Sequence, residues 1–254
     1  MRDSVIRRKG NKKIVMLTAY DFQTAGLLAE AGVDLLLVGD SVGTVLQGQE
    51  STKQVTMEEM LYHTRAVVKG AGRVPVVSDM PIHSYDGPEE ALRNARAFLG
   101  AGAEGVKIEG FTTGIVRVLT EAGIPVMGHL GLLPQTAAFH TVAGKTEEEA
   151  DRIKHDADSL CAEGVFALVL ECIPESLARA VTAAVPVPTI GIGAGRYCDG
   201  QVLVINDLLG MTRGHRPKFV KPYADLAGII SEAVRRFKTD VEDGRYPDNA
   251  HTYH

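Results

Sequence analysis

Four segments of the chain repeat one design: "LLAEAGVDLLLV" (27–38), "FLGAGAEGVKI" (98–108), "VLTEAGIPVMG" (118–128) and "LCAEGVFALVL" (160–170). Each reads as the end of a helix, a glycine, and then a strand. Glycine suits that place because the residue after a last helical turn often turns left-handed, a conformation a side chain disfavours. The strands that follow run apolar without alternation, so both faces are buried and the sheet is parallel.

The same pattern predicts eight strands, at 14–18, 35–38, 74–78, 105–108, 125–128, 166–170, 187–192 and 202–205. Helical periodicity separates most of them, at 56–69, 88–99, 112–122, 147–163, 175–184 and 223–238. Several of these stretches open on Thr, Pro or acidic residues suited to a first turn. Between strands seven and eight only "GAGRYCDGQ" (193–201) intervenes, room for a turn or one short helical turn. Eight strand–helix units in this length predict a (β/α)₈ TIM barrel with a degenerate helix after strand seven. A doubly wound open sheet satisfies the same periodicity. No linker-like run interrupts residues 1–254, which predicts one domain with a short N-terminal arm and a C-terminal tail.

Composition adds exclusions. The 254 residues are 45% hydrophobic and 23% charged, with net charge −5, so a sizeable core is affordable and no basic footprint for nucleic acid appears. The short "RRKGNKK" (7–13) reads as a solvated arm. No window reaches the roughly 18 apolar residues a membrane span needs, and no signal-peptide pattern opens the chain, so a cytoplasmic protein is expected. Cys161, Cys172 and Cys198 show no metal or disulfide spacing and read as reduced packing residues.

Candidate chemistry sits where the strands end. Asp40 and Ser41 follow strand two, Asp79 follows strand three, Lys107 and Glu109 end strand four, His129 follows strand five, and Glu171 follows strand six. In a parallel barrel those ends share the face on which active sites are built. Taken singly, Asp40 or Asp79 is better explained as a helix cap, Lys107 and Glu109 as a structural ion pair, and His129 or Glu171 as a loop residue. Five consecutive strands carrying ionisable groups at one end make those separate explanations less economical.

The set suits metal-assisted chemistry. Magnesium takes near-octahedral oxygen ligands and uses one or two protein carboxylates, which Asp40 and Asp79 supply, leaving positions for a substrate's carboxylate and keto oxygens. A Lewis acid on that carbonyl acidifies the neighbouring C–H. Lys107 and His129 then balance charge, and Glu171 serves as general base. The "GIGAGR" run (191–196) follows strand seven, where barrels often bind phosphate, but its G-x-G-x-G spacing is not the dinucleotide fingerprint; close packing explains it equally well.

These blocks, "MLTAYD" (16–21), "VGDSVG" (38–43), "TMEEMLYHTRAV" (56–67), "VSDMP" (77–81), "VKIEG" (106–110), "MGHLGLLPQ" (127–135), "LVLECIP" (168–174) and "IGIGAGRYCDGQVLV" (190–204), closely resemble the ketopantoate hydroxymethyltransferase family. The resemblance implies a phosphoenolpyruvate/pyruvate-type barrel, magnesium-dependent and class II aldolase-like. It further implies one-carbon transfer from 5,10-methylenetetrahydrofolate to 3-methyl-2-oxobutanoate, giving 2-dehydropantoate for pantothenate biosynthesis. By position it implies Asp40 and Asp79 as magnesium ligands with Glu109 in or beside the shell, Ser41 and Lys107 holding the keto acid with His129 assisting, and Glu171 as proton acceptor. A homo-oligomer, decameric in many bacterial members, is implied too. The chain departs from the family pattern at His83, Phe111, Leu133 and the loop 137–145, changes that the resemblance assigns to the active-site lid and the folate pocket.

Two other readings stand beside this one. A magnesium-dependent C–C lyase or mutase of the isocitrate lyase/phosphoenolpyruvate mutase type shares the barrel and its chemistry, but the cysteine-bearing lid typical of that group is not found in 130–146. A catalytically silent metabolite-binding or assembly barrel has no reason to keep carboxylates, Lys and His together at costly positions.

Overall fold

A computed structural model of the chain describes residues 1–254 apart from 113, 138–140 and 215; part of the unusual 137–145 loop therefore lies outside the described residues. Two compact units are present, Met1–Val204 and Ile205–His254.

The first unit opens with helix α1 (Arg2–Ile6) and strand β1 (Ile14–Thr18), followed by α2 (Phe22–Glu30), β2 (Leu35–Val38), the short α3 (Val42–Val45) and α4 (Met57–Gly70). It continues through β3 (Val76–Asp79), α5 (Pro88–Gly100), β4 (Gly105–Glu109), α6 (Ile115–Glu121), β5 (Val126–Gly131) and α7 (Glu147–Ala162). β6 (Ala167–Glu171), α8 (Glu175–Ala184), β7 (Thr189–Ile192) and β8 (Gly200–Leu203) complete it. All neighbouring strands are parallel, and β1 pairs with β8 through Ile14↔Gly200, which closes the barrel and excludes the open-sheet alternative. β7 runs to β8 through residues 193–199 with no helix between them.

Local sequence explains the elements. The four glycines of the repeated design, Gly32, Gly102, Gly123 and Gly164, all have positive φ, between 79° and 99°. Thr56 and Thr146 each close a capping box at the start of α4 and α7, with Glu59 and Glu149 reaching back. α5 starts on Pro88 and buries Ala91, Ala95 and Phe98, one face at helical spacing. Burying a side chain the size of Phe98 contributes about 2 to 3 kcal/mol.

Alternate residues of each strand face the barrel interior. Leu35, Leu37, Val77, Met127, Ala167, Val169 and Ile190 are buried there with Met16 and Val202. The residues between them, such as Leu36, Val106, Ile108, Leu168 and Leu170, are also buried, beneath the helices. That two-sided burial is why the strands show no alternation in sequence.

Several strands reach one to three residues further than predicted. Asp79 and Glu171 are the last residues of β3 and β6, and His129 lies inside β5, not after it. The reason is continued pairing: Glu109 is the register partner of His129, and Gly131 of Glu171, so the backbone stays extended although the side chains turn polar.

The second unit contains α9 (Ile205–Leu208), α10 (Leu226–Glu242) and a short 3₁₀ turn at Asn249–His251. Asp225 caps α10 by accepting from the Gly228 amide, and α10 buries none of its residues. The polar tail folds locally: Tyr246 meets the Phe237 ring edge-on at 5.3 Å, and Arg245 reaches Asp240 and Asp243. No helix among the described residues is long and apolar enough to cross a membrane.

Candidate active site

The inward-facing file of each central strand is apolar at one end and charged at the other. Val77 is followed two residues on by Asp79, Met127 by His129, and Val169 by Glu171, while β4 presents both Lys107 and Glu109. Register aligns these files. Asp79 is the partner of Lys107 and Glu109 the partner of His129, so side chains separated by many residues in sequence stand next to one another.

The resulting cluster is continuous. Lys107 Nζ lies 2.8 Å from Asp79 Oδ1 and 4.0 Å from Glu109 Oε1. His129 Nδ1 lies 3.3 Å from Glu109 Oε1, and its Nε2 lies 3.3 Å from Glu171 Oε2. Both ring contacts are close enough for ion pairing, yet neither nitrogen makes a well-aligned hydrogen bond. The Asp40 backbone N–H donates to Asp79 Oδ2 at 3.1 Å, which brings the loop after β2 against β3. Ser41 arrives through Gly39: a Cβ there would stand 2.7 Å from the Ser41 hydroxyl and 3.6 Å from Asp79 Oδ2, so only glycine leaves the space. All seven residues singled out in the sequence thus belong to one cluster.

Three participants were not anticipated. Tyr20, 2% exposed, meets the Ser41 hydroxyl at 2.9 Å. Gln135 Nε2 donates to Asp40 Oδ2 at 2.8 Å and to the Met80 carbonyl at 2.9 Å, while the Gln135 backbone N–H donates to Glu109 Oε2 at 3.0 Å. The Tyr85 hydroxyl donates to Gln135 Oε1 at 2.5 Å. Their only trace in the sequence is membership in the quoted blocks or, for Tyr85, a place in the run 82–85 that carries the departure at His83.

Electrostatics follow from burial and neighbours. Burial, reinforced by the charges of Asp79 and Glu109, raises the Asp40 carboxyl to about 8, against the pull of Lys107 and the Gln135 amide. Burial and Lys107 oppose charge on His129, but Glu109 and Glu171 outweigh them and lift the imidazole to about 9. Burial works to raise Glu109, yet His129, Lys107 and the Gln135 amide hold it below its ordinary range. Burial also opposes charge on Lys107, but Asp79, Glu109 and Asp40 overcome it and keep the ammonium protonated.

Asp40 is thus held against ionisation by burial and by Asp79 and Glu109, and a bound cation would favour its charged form in place of the proton. Among the described residues no three His, Cys, Asp or Glu side chains form a ready metal cage. Magnesium asks for fewer, one or two carboxylates with the remaining positions left to water and substrate, and the Asp40/Asp79 pair fits that demand.

His83 sits at φ 65°, a left-handed backbone that favours glycine, and its exposed ring meets Asp86 at 3.0 Å. Leu133 packs over Gly110, whose absent Cβ would lie 3.2 Å from Leu133 Cδ1.

A closed parallel barrel with helices between its strands and a charged cluster at the strand ends defines a (β/α)₈ protein. Its trace matches that of 2,3-dimethylmalate lyase, a member of the phosphoenolpyruvate mutase/isocitrate lyase superfamily, with TM-score 0.63 at 16% identity over 99% of this chain and 91% of the other. It also matches phosphonopyruvate hydrolase in a complex with oxalate and Mg²⁺, with TM-score 0.64 at 13% identity over 100% and 91%. Those likenesses show the fold alone. A family model described as ketopantoate hydroxymethyltransferase matches residues 2–249, and the chain belongs to that family. The 3-methyl-2-oxobutanoate hydroxymethyltransferase of Syntrophomonas wolfei is 48% identical over 254 residues, covering 97% of this chain and 92% of the relative. The one of Pyrobaculum neutrophilum is 51% identical over 249 residues, covering 96% and 95%.

Proposed function

We propose that the protein transfers a hydroxymethyl unit from 5,10-methylenetetrahydrofolate to 3-methyl-2-oxobutanoate, forming 2-dehydropantoate. The observation that carries this reading is the Asp79–Lys107–Glu109–His129–Glu171 cluster, seated at the strand ends of a chain whose relatives bear that activity's name. Asp40 and Asp79 would hold magnesium, with Glu109 beside them, its oxygens engaged by His129 and the Gln135 amide. When bound, the metal supplies Lewis-acid polarisation of the substrate's keto group.

The chain's own groups do the rest. Glu171 is the only carboxylate of the cluster with appreciable solvent access, its side chain 18% exposed, so it can meet a substrate entering from outside. It takes the proton from C3 of the keto acid. Water opens the methylene bridge, both C–N bonds break with the nitrogens taking up the water's protons, and tetrahydrofolate departs; the electron pair left at C3 bonds to the released formaldehyde-level carbon, whose oxygen takes a proton and becomes the new hydroxyl. Negative charge that develops on the substrate oxygen faces Lys107 and a protonated His129, both buried and therefore effective. Ser41, oriented by Tyr20, donates to the substrate carboxylate.

Exchange of the C3 proton in heavy water, followed by NMR with magnesium and with or without tetrahydrofolate, tests the first half; formation of 2-dehydropantoate from 5,10-methylenetetrahydrofolate tests the second. Magnesium-dependent exchange and product formation support the reading, and absence of both overturns it.

A further inference from the structure

Gln135 contacts two of the cluster's carboxylates and two of its surrounding loops, although no step of the proposed reaction uses it. A glutamine amide offers two N–H donors and one carbonyl acceptor. Here all three are engaged: one N–H meets Asp40 Oδ2, the other the Met80 carbonyl, and the carbonyl accepts from the Tyr85 hydroxyl. The residue is 1% exposed, so water does not compete. Turning the amide over would aim its carbonyl at a carboxylate and at another carbonyl, oxygen against oxygen, so the arrangement has one orientation.

We infer that Gln135 is a positioning residue that fixes which Asp40 oxygen is presented to the metal, with Tyr85 locking the amide in the required sense. This rests on the metal reading proposed above. The Gln135 amide occupies Oδ2, and among the described residues no hydrogen bond to Oδ1 is found, which leaves that atom for ligation once the carboxyl gives up its proton. The Gln135 backbone N–H at the same time holds Glu109 Oε2, so one residue sets carboxylates contributed after β2 and on β4. Without the amide, Asp40 is free to rotate away from Asp79 and Glu109, whose charges repel it. Outer partners of ligands tune affinity in this way, typically by 10–100-fold on removal. The clamp also joins the two departing loops to the cluster, since Tyr85 lies two residues from His83 and Gln135 two from Leu133.

The test is Mn²⁺ binding, read from the electron paramagnetic resonance of the free ion, on chelator-treated full-length protein and on its Gln135→Leu and Tyr85→Phe variants. Expected is a rise in the Mn²⁺ Kd of about 10–100-fold for Gln135→Leu. A smaller rise is expected for Tyr85→Phe, measured on its folded fraction and accompanied by a modest fall in metal-free melting, because the Gln135 carbonyl loses its partner. A purely structural role would lower metal-free melting and leave the affinity of the folded fraction alone. Parent-like Kd values in both variants overturn the inference. Should Gln135→Leu fail to fold, Tyr85→Phe decides by the same criterion. If the unsubstituted protein binds no Mn²⁺, the metal reading falls first and this inference with it.

Discussion

Gly131 and Glu171 are register partners on β5 and β6, and a Cβ on Gly131 would run into the Glu171 carbonyl oxygen. Gly131 also has φ 102°, which a side chain resists. Backbone fit at this point therefore sets where the proposed proton acceptor stands. Gly131→Ala should cost about 1 to 3 kcal/mol in denaturant unfolding and lower turnover more than it lowers keto-acid binding. Kinetics matching the parent would show that the strand end tolerates the shift.

Glu171→Gln keeps shape and removes the base. C3 proton exchange should fall by about 10²–10⁴-fold while magnesium binding is retained. Residual exchange near the parent rate would move the role to another group.

Glu163 caps a helix other than its own. It is 6% exposed, and its carboxylate accepts from the backbone N–H groups of Gly114 and Arg117 at 3.2 Å each, satisfying the start of α6. Glu163→Ala should destabilise by about 1 to 2 kcal/mol with little effect on chemistry, because those donors are left unpaired and the helix dipole loses its anion. Thermal unfolding beside turnover measures both.

Asp199 ties the chain's beginning to the barrel, accepting from Lys9 Nζ at 2.9 Å, Gly10 N at 3.0 Å and Thr189 N at 2.9 Å. Burial works to raise its carboxyl, but Lys9 and these amides prevail and hold it below the ordinary aspartate value. A depressed folded-state value means the stabilisation is fully present above the unfolded value, near 4, and is lost as pH falls through the lower folded one. Asp199→Asn should cost about 2 kcal/mol at neutral pH, and the gap to the parent should close in acid below about pH 4. A gap independent of pH would contradict the assignment.

The barrel was legible because its punctuation is steric: glycine at 32, 102, 123 and 164 marks a left-handed backbone that few other residues adopt. The charged residues were legible because they recur at one end of successive apolar runs. Strand ends were less so. Asp79, His129 and Glu171 are polar, so the hydrophobic pattern stops before them, whereas pairing across the sheet continues. Gln135 and Tyr85 left no periodic signal at all, since their roles depend on loops that meet only in the folded chain.

The seam between β1 and β8 bears on synthesis. Ile14 waits for Gly200, so a chain emerging from the ribosome carries an unpaired parallel edge from its first strand until nearly all of the barrel has been made. Closure comes last, and a stalled or truncated product lacking residues 200–203 keeps two sticky edges. Chaperone demand and inclusion-body formation should therefore track how quickly that final strand is delivered, more than any property of the charged cluster.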